Sequence, residues 1–397
     1  MRSTTQLLSS VTAQQIELND FASNDGYLFV RDGVGVAGQG VAKRINRNEV
    51  ASTLSAIADD NRSGIAEAGP IAIGCIPLLS SAPHDFVIPR VIVGKTLTGQ
   101  QWVTMIDDTE FDYQPPETNR VSAASFMVNP GVAIDHYLEA VRLTAEAVRE
   151  KKIDKAVIAR DIFVTTNFPF DIRAILQRLK ASFGSSYRYL FDGFLGASPE
   201  LLVAVEGNKV SSHPLAGTAP RTGNPIVDQK IASELIASTK NQLEHRIVID
   251  MVHDTLLPWC SFLDWQPEPS IVAVANVQHL GTEISGQLSE PRPSVLELAY
   301  ALSPTPALGG APKQDALDQI ARVEGMNRGR YGGAVGYMNK SGDGTFAVAI
   351  RCAELDPTRM TARLFAGGGI VGDSDPSSEL AETQAKFQAM LAALIRP

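Results

Sequence analysis

The sequence predicts an α+β fold whose main element is a large antiparallel sheet. Strand-like segments come in groups, separated by turns rich in Gly, Pro and Asp. Only a few helical patterns lie between these groups, and the regular strand–helix alternation of a parallel sheet is absent. The apolar fraction of 44% is that of an ordinary globular protein. A chain of this length buries enough surface to fold without disulfides or metal.

The first half of the chain is predicted to alternate short strands with one clear helix. The N-terminal third predicts strands over 27–32, 72–79 and 101–107. A helix follows, because apolar residues recur at helical spacing on one face. Further strands are predicted over 155–166, 187–193 and 200–217. The residues that define the helical face are Tyr137, Val141, Ala145 and Val148.

The second half is predicted to contain two helices and a pair of strands. One long helix is expected from Pro225 to about Leu257, with an apolar stripe that includes Leu243, Ile247, Val248 and Met251. Segments 345–355 and 360–372 are expected to pair as strands. The last helix is expected to begin at Asp375-Pro376 and to run to about Leu394, because Asp caps helix N-termini and Pro suits the first helical position.

The glycines between Gly33 and Gly38 match the GxGxxG pattern of dinucleotide-binding proteins. The pattern needs an apolar-periodic helix after the glycines and an acidic residue at the end of a second strand about 20 positions later, and the sequence predicts neither. The segment follows an Asp32-Gly33 turn, so we expect a β-hairpin instead.

Charge and cysteine content exclude several classes of protein. The net charge of −9 argues against a nucleic-acid-binding protein, which needs basic residues to neutralise phosphates. The three cysteines form no CxxC pair, which excludes a disulfide scaffold and favours a reducing compartment. No signal peptide is predicted, because the segment 1–10 lacks an apolar core. No membrane helix is predicted, because the longest uncharged run, 68–84, contains three prolines. We therefore expect a cytoplasmic protein. We also expect a monomer, because the sequence shows no long exposed apolar seam.

Three glutamates are candidate ligands of a hard cation. Glu244 lies on the apolar side of the predicted long helix, where a carboxylate must reach solvent, meet a basic group or bind a cation. Glu379, Glu382 and Lys386 share one face of the last helix, which is also the pattern of an exposed i, i+4 ion pair. If the carboxylates of the two helices converge, they suit Mg²⁺.

Arg351 is a candidate anion-binding residue. In the segment 345–355 it alternates with small residues, so that its guanidinium stands on a face of alanines. Such a face suits a cavity, where the guanidinium can bind a carboxylate bidentately. A solvated surface arginine fits the same pattern. Two glycine-containing segments, 214–218 and 367–369, offer bare backbone to an anion.

Taken together, these residues lie in ordered motifs that resemble the chorismate-utilising enzymes, and among them the isochorismate synthases. The resemblance is strong from about Asp135 to Lys386 and looser before it. The motifs are IDKAVIAR (153–160), GASPELL (196–202), PLAGTAPR (214–221), LEH (243–245), SPTPALGGAPK (303–313), RYGGAVGY (330–337), IRCAEL (350–355), LFAGGGIV (364–371) and SELAETQAK (378–386).

The resemblance implies one large domain over 1–397, an antiparallel β-sandwich flanked by helices with a central cleft. It divides this domain into a strand-rich part, 1–120, and a catalytic core, 121–397. It also implies an Mg²⁺ ion that bridges enzyme glutamates to the ring carboxylate of chorismate. The implied metal ligands are Glu244 and Glu382 with Glu379 in support, and the implied substrate-binding residues are Gly217, Thr218, Tyr331, Arg351, Gly369 and Lys386.

Within the family, the residues favour water as the nucleophile. Lys155 matches the general base of water-using relatives, and Ala307 and Leu308 match the isochorismate synthase pattern, where ammonia-using relatives tend to carry Thr at the first position. The implied activity is Mg²⁺-dependent isomerisation of chorismate to isochorismate. A salicylate synthase, which also eliminates pyruvate, is the alternative activity. A third hypothesis is a catalytically inactive protein that binds chorismate or a dinucleotide. Asn241 and Ser303 depart from the family pattern, which carries an acidic residue and His there.

The chemistry requires a base and an acid on opposite faces of the ring. Lys155 is expected to take a proton from water as it attacks C2, and Glu200 to protonate the hydroxyl that leaves C4. A lysine base and a glutamic acid both need shifted pKa values near pH 7, which burial in a closed cleft provides. Two histidines, His213 and His279, are expected to line the cleft. The sequence leaves open whether the product feeds menaquinone, a catechol siderophore or salicylate.

Overall fold

Helices surround a core of paired strands in this protein. The structure, a computed structural model, describes residues 1–78, 86–115, 125–274 and 277–395. The helices are α1 (Leu18–Ala22), α2 (Val50–Ser55), α3 (Ile134–Arg149), α4 (Ile172–Ser182), α5 (Pro225–Ala237), α6 (Thr239–Leu256), α7 (Val295–Leu302), α8 (Lys313–Val323) and α9 (Pro376–Ile395). None of the helices within those ranges is long and apolar enough to cross a membrane.

Most of the described strands belong to one large sheet, and β14, β16 and β17 form a smaller one. The strands are β1 (Arg2–Leu7), β2 (Tyr27–Arg31), β3 (Val34–Ile45), β4 (Ala58–Asn61), β5 (Ile71–Ile76), β6 (Phe86–Lys95), β7 (Gln101–Ile106), β8 (Phe126–Pro130), β9 (Lys155–Thr166), β10 (Tyr187–Phe191), β11 (Phe194–Ser198), β12 (Leu201–Glu206), β13 (Lys209–His213), β14 (Leu215–Pro220), β15 (Cys260–Trp265), β16 (Ser270–Val274), β17 (Val277–Gly281), β18 (Ile284–Leu288), β19 (Gly310–Ala311), β20 (Ala334–Asn339), β21 (Gly344–Val348), β22 (Cys352–Leu355) and β23 (Thr361–Ile370).

The predicted antiparallel α+β architecture is confirmed. The pairings between described strands are antiparallel except for that of β1 with β4. Strands of the N-terminal part pair directly with strands of the remainder, β2 with β10 and β5 with β20. The boundary predicted between residues 120 and 121 lies outside the described residues.

Two long strands and two helices position the cavity described below. β9 and β23 pair over ten consecutive residues, from Thr165 opposite Thr361 to Ala156 opposite Ile370. This register brings the start of β9 beside the glycines at the end of β23. Helix α9 packs on β23 and helix α6 on β14. Apolar side chains of α3, α8 and β9 form a separate core beneath this region.

Two local predictions are confirmed in detail. The GxGxxG segment forms the β2–β3 hairpin, in which Arg31 pairs with Val34 across an Asp32-Gly33 turn. Both turn residues have positive φ angles, 51° and 78°, the backbone that such a tight hairpin requires. The last helix starts at Pro376, and the Asp375 carboxylate accepts a hydrogen bond from the Ser378 N–H as its cap.

The prediction of one long helix from Pro225 to Leu257 is wrong. The helix stops at Ala237, and Ser238 adopts an extended backbone with ψ of 109°. The Ser238 hydroxyl then accepts a hydrogen bond from the Asn241 N–H and caps a second helix, α6. Leu243, assigned to the apolar stripe, is 65% exposed, and the buried face of α6 is instead formed by His245, Val248, Ile249, Val252 and Leu256.

Segment 345–355 is also two strands instead of one. The chain leaves β21 at Val348 and enters β22 at Cys352, and Arg351 between them has a φ of 52°. The bend lets the chain change partners: β21 pairs with β12 and β20, whereas β22 pairs with β11 and β23. Segment 200–217 is likewise divided, into β12, β13 and the start of β14.

Candidate active site

One cavity of about 280 Å³ brings together the residues predicted to act in catalysis and to bind the substrate and the metal. It lies between the end of β23, the start of β9, the loop before α8 and the N-terminal turns of α6 and α9. The predicted residues that line it are Lys155, Glu200, Gly217, Thr218, Glu244, Ala307, Leu308, Tyr331, Arg351, Gly369, Glu379, Glu382 and Lys386. The sequence separation of these residues is large, so only the tertiary fold unites them.

Lys155 is buried at the first position of β9 and is bound to Glu244 of α6. The Nζ atom donates to Glu244 Oε1 at 2.6 Å, and the two side chains are 2% and 17% exposed. A Cβ atom at Gly369 would come within 2.7 Å of Lys155 Cε and 2.9 Å of Glu244 Oε1. Glycine at 369 is therefore a steric requirement of this pair, since any side chain there would displace one of its members.

Glu200 lies at another wall of the cavity, in the short connection between β11 and β12. It is 3% exposed, and its Oε1 accepts a hydrogen bond from the Leu215 N–H at 3.4 Å. Burial raises the pKa of Glu200 to about 8, although that hydrogen bond and the charges of Lys155 and Arg351 act in the opposite direction. The carboxyl group is therefore mainly protonated at neutral pH and can donate a proton.

A neutral histidine connects the anion-binding groups. The Arg351 guanidinium donates to His279 Nε2 at 3.2 Å, and burial with the nearby charges of Arg351 and Lys386 lowers the pKa of His279 to about 3. Because Nε2 accepts, Nδ1 carries the hydrogen and donates to the Gly217 carbonyl at 3.1 Å. His279 thereby fixes Arg351 relative to Gly217 and Thr218. His213, also expected at the cleft, does not line this cavity.

The acidic end of the cavity combines Glu379, Glu382 and Lys386 of α9. Lys386 Nζ binds Glu382 Oε1 at 2.6 Å and donates to the Gly367 carbonyl at 2.7 Å. Burial and the nearby Glu382 charge raise the pKa of Glu379, whose Oε1 accepts a hydrogen bond from Ser374 Oγ. Burial acts to raise the pKa of Glu382 as well, but the Lys386 ammonium lowers it overall. These residues are not the exposed ion pair that their spacing also allowed.

The carboxylates in this cavity have the chemistry of a site for a hard divalent cation. Carboxylate oxygen is the ligand that Mg²⁺ prefers, and Glu244, Glu379 and Glu382 reach the cavity from two helices. Among the described residues, however, no group of three such side chains is close enough to chelate an ion as it stands. Glu244 and Glu382 are each bound to a lysine ammonium, which supplies the positive charge at these carboxylates.

Aromatic and aliphatic side chains form the remaining wall. Tyr331 stacks on Phe365 with ring centroids 5.2 Å apart, and its hydroxyl lies beside Gly367. Leu308 is buried next to Ala307 in a loop that hydrogen-bonds to β9, where Val157 donates to the Gly309 carbonyl. These side chains form the more apolar wall of the cavity.

Sequence reasoning missed Lys240, which lines the mouth of the cavity. Its charge acts on both Glu379 and Glu382. Because it lies four residues before Glu244, one helical turn away, the spacing alone could have identified it. Asn241, one residue later, faces Gly217 and donates to Ser238 Oγ, so the departure from the family pattern lies inside the site.

Comparison with known proteins agrees with this arrangement. The profile of the chorismate binding enzyme family matches residues 71–395. A Mycobacterium tuberculosis protein named MenF is 38% identical over 349 residues, which cover 84% of this chain and 88% of that protein. The isochorismate synthase MenF of Bacillus subtilis is 36% identical over 329 residues, 78% of this chain and 69% of that protein.

A solved structure shares the fold. The structure of MenF, the menaquinone-specific isochorismate synthase from Escherichia coli, matches with a TM-score of 0.81 and 22% identity, covering 99% of this chain and 94% of that one. At this identity the likeness concerns the architecture, whereas the profile and the sequence relatives establish kinship. The chain is therefore an enzyme of the chorismate binding family.

Proposed function

We propose that this enzyme is an isochorismate synthase that isomerises chorismate to isochorismate with the help of Mg²⁺. The proposal rests on one observation: a buried, protonated Glu200 and a buried Lys155 line the same cavity. The reaction needs an acid and a base at the same ring. The B. subtilis relative that is 36% identical is named for this activity.

The proposed reaction adds water at C2 and removes the hydroxyl group from C4. As the new C2–O bond forms, the water proton passes to Lys155, which acts as general base. The ring double bonds shift, the C4–O bond breaks, and Glu200 donates its proton so that the leaving group departs as water. One water enters and one leaves, so the product is an isomer, and proton exchange with solvent restores both side chains.

Arg351 and Lys386 would bind the carboxylates of chorismate, and the cation would neutralise one of them. Glu244 and Glu382, with Glu379 in support, are the residues that would hold Mg²⁺. When bound, the ion supplies positive charge that orients a carboxylate of the substrate. In this arrangement Lys155 and Lys386 must each give up a carboxylate partner, and Lys155 must also release a proton before it can act as the base.

The test is incubation of the purified protein with chorismate and Mg²⁺, with and without ammonium, followed by chromatography. Separation is essential because isochorismate and chorismate have the same mass. We expect a new isomer peak that EDTA abolishes and ammonium does not change. Pyruvate together with salicylate would instead identify a salicylate synthase, an amino product would contradict water as the nucleophile, and unchanged chorismate would contradict the proposal.

The rate of this reaction should fall at alkaline pH. Glu200 must be protonated to act as an acid, and its pKa lies at about 8. Above that pH the protonated fraction falls tenfold per unit, so kcat/KM should fall with the same slope. The pH profile of kcat/KM under saturating Mg²⁺ measures this limb. A profile that stays flat to pH 10 would exclude Glu200 as the acid.

A further inference from the structure

A fully buried ion pair lies directly behind the active-site wall. Arg328 and Glu324, whose side chains are 0% and 2% exposed, lie four residues apart in the chain just after α8. Arg328 Nε donates to Glu324 Oε1 at 2.7 Å, and a second guanidinium nitrogen reaches Glu324 Oε2 at 2.5 Å. Neither side chain lines the cavity, so the pair cannot touch a bound substrate.

The pair connects two segments that carry predicted site residues. The Arg328 guanidinium donates to the Leu308 carbonyl at 2.8 Å and to the Val157 carbonyl at 2.6 Å. Glu324 Oε2 accepts a hydrogen bond from the Ala159 N–H at 2.8 Å. One planar group thus joins the loop that contains Leu308 to the strand that begins at Lys155.

The same loop also lies against β9 through its own backbone. Next to Leu308, Gly309 accepts from the Val157 N–H, and Gly310 passes so close to β9 that a Cβ atom there would lie 2.2 Å from the Lys155 carbonyl. Arg328 adds the hydrogen bonds that hold the loop at this distance on the Leu308 side. Its guanidinium also lies 5.9 Å from the ring centroid of Tyr331, a third cavity residue.

Stability alone does not explain a pair of charges at this place. Removing two charges from water costs several kcal/mol, and apolar residues of similar volume commonly replace a buried pair without loss of stability. Arginine, however, has a rigid fork that can hold three acceptors at fixed angles, which neither lysine nor an apolar residue can do. The geometry fits a group selected for positioning.

We propose that Arg328, oriented by Glu324, is a positioning residue that sets the distance between the Leu308 loop and Lys155. It acts on the base and on the apolar wall that faces it, whereas the carboxylate-binding groups Arg351 and Lys386 lie on other elements. We call the Arg328–Glu324 pair and its hydrogen bonds to Leu308 and Val157 the clamp. Loss of the clamp therefore lowers kcat and leaves KM nearly unchanged. A misplacement of about 1 Å costs on the order of 100-fold in rate. The kinetic part of this inference rests on the proposed function.

The decisive variant is the double substitution Glu324→Gln with Arg328→Met. It removes both charges, so that no unpaired charge is left in the core, and the introduced glutamine can still accept from the Ala159 N–H. Besides the two hydrogen bonds within the pair, only those from Arg328 to the Leu308 and Val157 carbonyls are lost. We expect a melting temperature close to that of the wild type, a fall in kcat of about 10- to 100-fold and a KM within about threefold. Arg328→Lys, which cannot hold all three acceptors, should restore little of the lost kcat.

The matched control is Arg188→Met. Arg188 is also a buried arginine, 1% exposed, that donates to a backbone carbonyl, but it lines a different cavity. Its substitution should leave kcat within about twofold of the wild type. Hydrogen exchange of the peptide 303–311 gives a readout that needs no substrate, and we expect faster exchange in the double variant than in the control.

The two parts of the proposal fail in different ways. If the wild type does not convert chorismate, the proposed function is wrong, and hydrogen exchange still decides whether the clamp orders the loop. If the wild type is active, a double variant with unchanged kcat and unchanged exchange would overturn the inference. A double variant that melts early, yet keeps the wild-type kcat per folded molecule, would show a purely structural role and overturn it as well.

Discussion

Glu200→Gln should lower turnover by about 10²- to 10⁴-fold, the range that a general acid contributes. Glutamine keeps the size of the side chain and can still accept the Leu215 N–H hydrogen bond, so the cavity should keep its shape. It has no proton to donate to the departing hydroxyl group. Steady-state assays of chorismate conversion at pH 7 measure the effect. Wild-type turnover in this variant would assign the acid to another group.

The same substitution should stabilise the protein at alkaline pH. A raised pKa means that the folded state holds a proton that the unfolded chain releases, so Glu200 costs no stability below about pH 4.5 and progressively more up to about pH 8. The full penalty has an upper limit of about 5 kcal/mol. The melting temperature of Glu200→Gln should therefore exceed that of the wild type increasingly from pH 5 to pH 8.

The control for this measurement is Glu206→Gln. Glu206 ends β12, six residues beyond Glu200, and its side chain is exposed. Its substitution removes the same charge from the sequence without removing a buried carboxyl group. A difference in melting temperature that does not grow with pH for Glu200→Gln, or that grows equally for Glu206→Gln, would contradict the raised pKa.

Lys155→Met should also abolish most turnover, by about 10²- to 10⁴-fold, and should strengthen the binding of Mg²⁺ at the same time. The loss of turnover follows from the loss of the base. The gain in affinity follows because the Lys155 ammonium occupies Glu244 Oε1 at 2.6 Å, and a cation must displace it. Without the lysine, Glu244 is left without its cationic partner in a nearly closed cavity, which also destabilises the metal-free protein.

Titration calorimetry with Mg²⁺ in the absence of chorismate measures this gain directly. The rise in melting temperature on adding Mg²⁺ should be larger for Lys155→Met than for the wild type, because binding to the folded state alone is stabilising. Lys230→Met is the control, since Lys230 is 80% exposed and its ion pair is with the exposed Glu234 of its own helix. Equal Mg²⁺ affinities in Lys155→Met and the wild type would show that the ion does not compete with the lysine.

Much of the fold was predictable because its signals are local. Alternating apolar strands, the Asp32-Gly33 turn and the Asp375-Pro376 helix start each depend on a few neighbouring residues. The break at Ser238 has a local signal too, since serine is a preferred cap, but the apolar periodicity on both sides masked it. The bend at Arg351 has no local signal, because neither Gly nor Pro marks the place where the chain changes strand partners.

The motifs predict which residues form the site, but they do not predict which of these residues contact one another. The motifs identify residues such as Lys155 and Glu244, and the structure places them in one cavity. The sequence does not reveal that these two side chains bind each other, because they lie 89 residues apart and meet only through the packing of α6 near β9. The clamp could not be predicted either. The acceptors of Arg328 are backbone carbonyls of distant residues, which no sequence pattern marks.

The large sheet also constrains when the protein can fold during synthesis. β5 pairs along its length with β20, whose residues emerge from the ribosome about 260 positions later. Until then, β5 has no hydrogen-bonded neighbour along the edge that β20 later occupies. Closing a loop of this length is slow. This edge of β5 therefore stays unpaired and prone to association until most of the chain has been made, although β5 can already pair with β6. The pairing of β5 with β20 therefore gives translation a long interval in which an apolar strand lacks a partner.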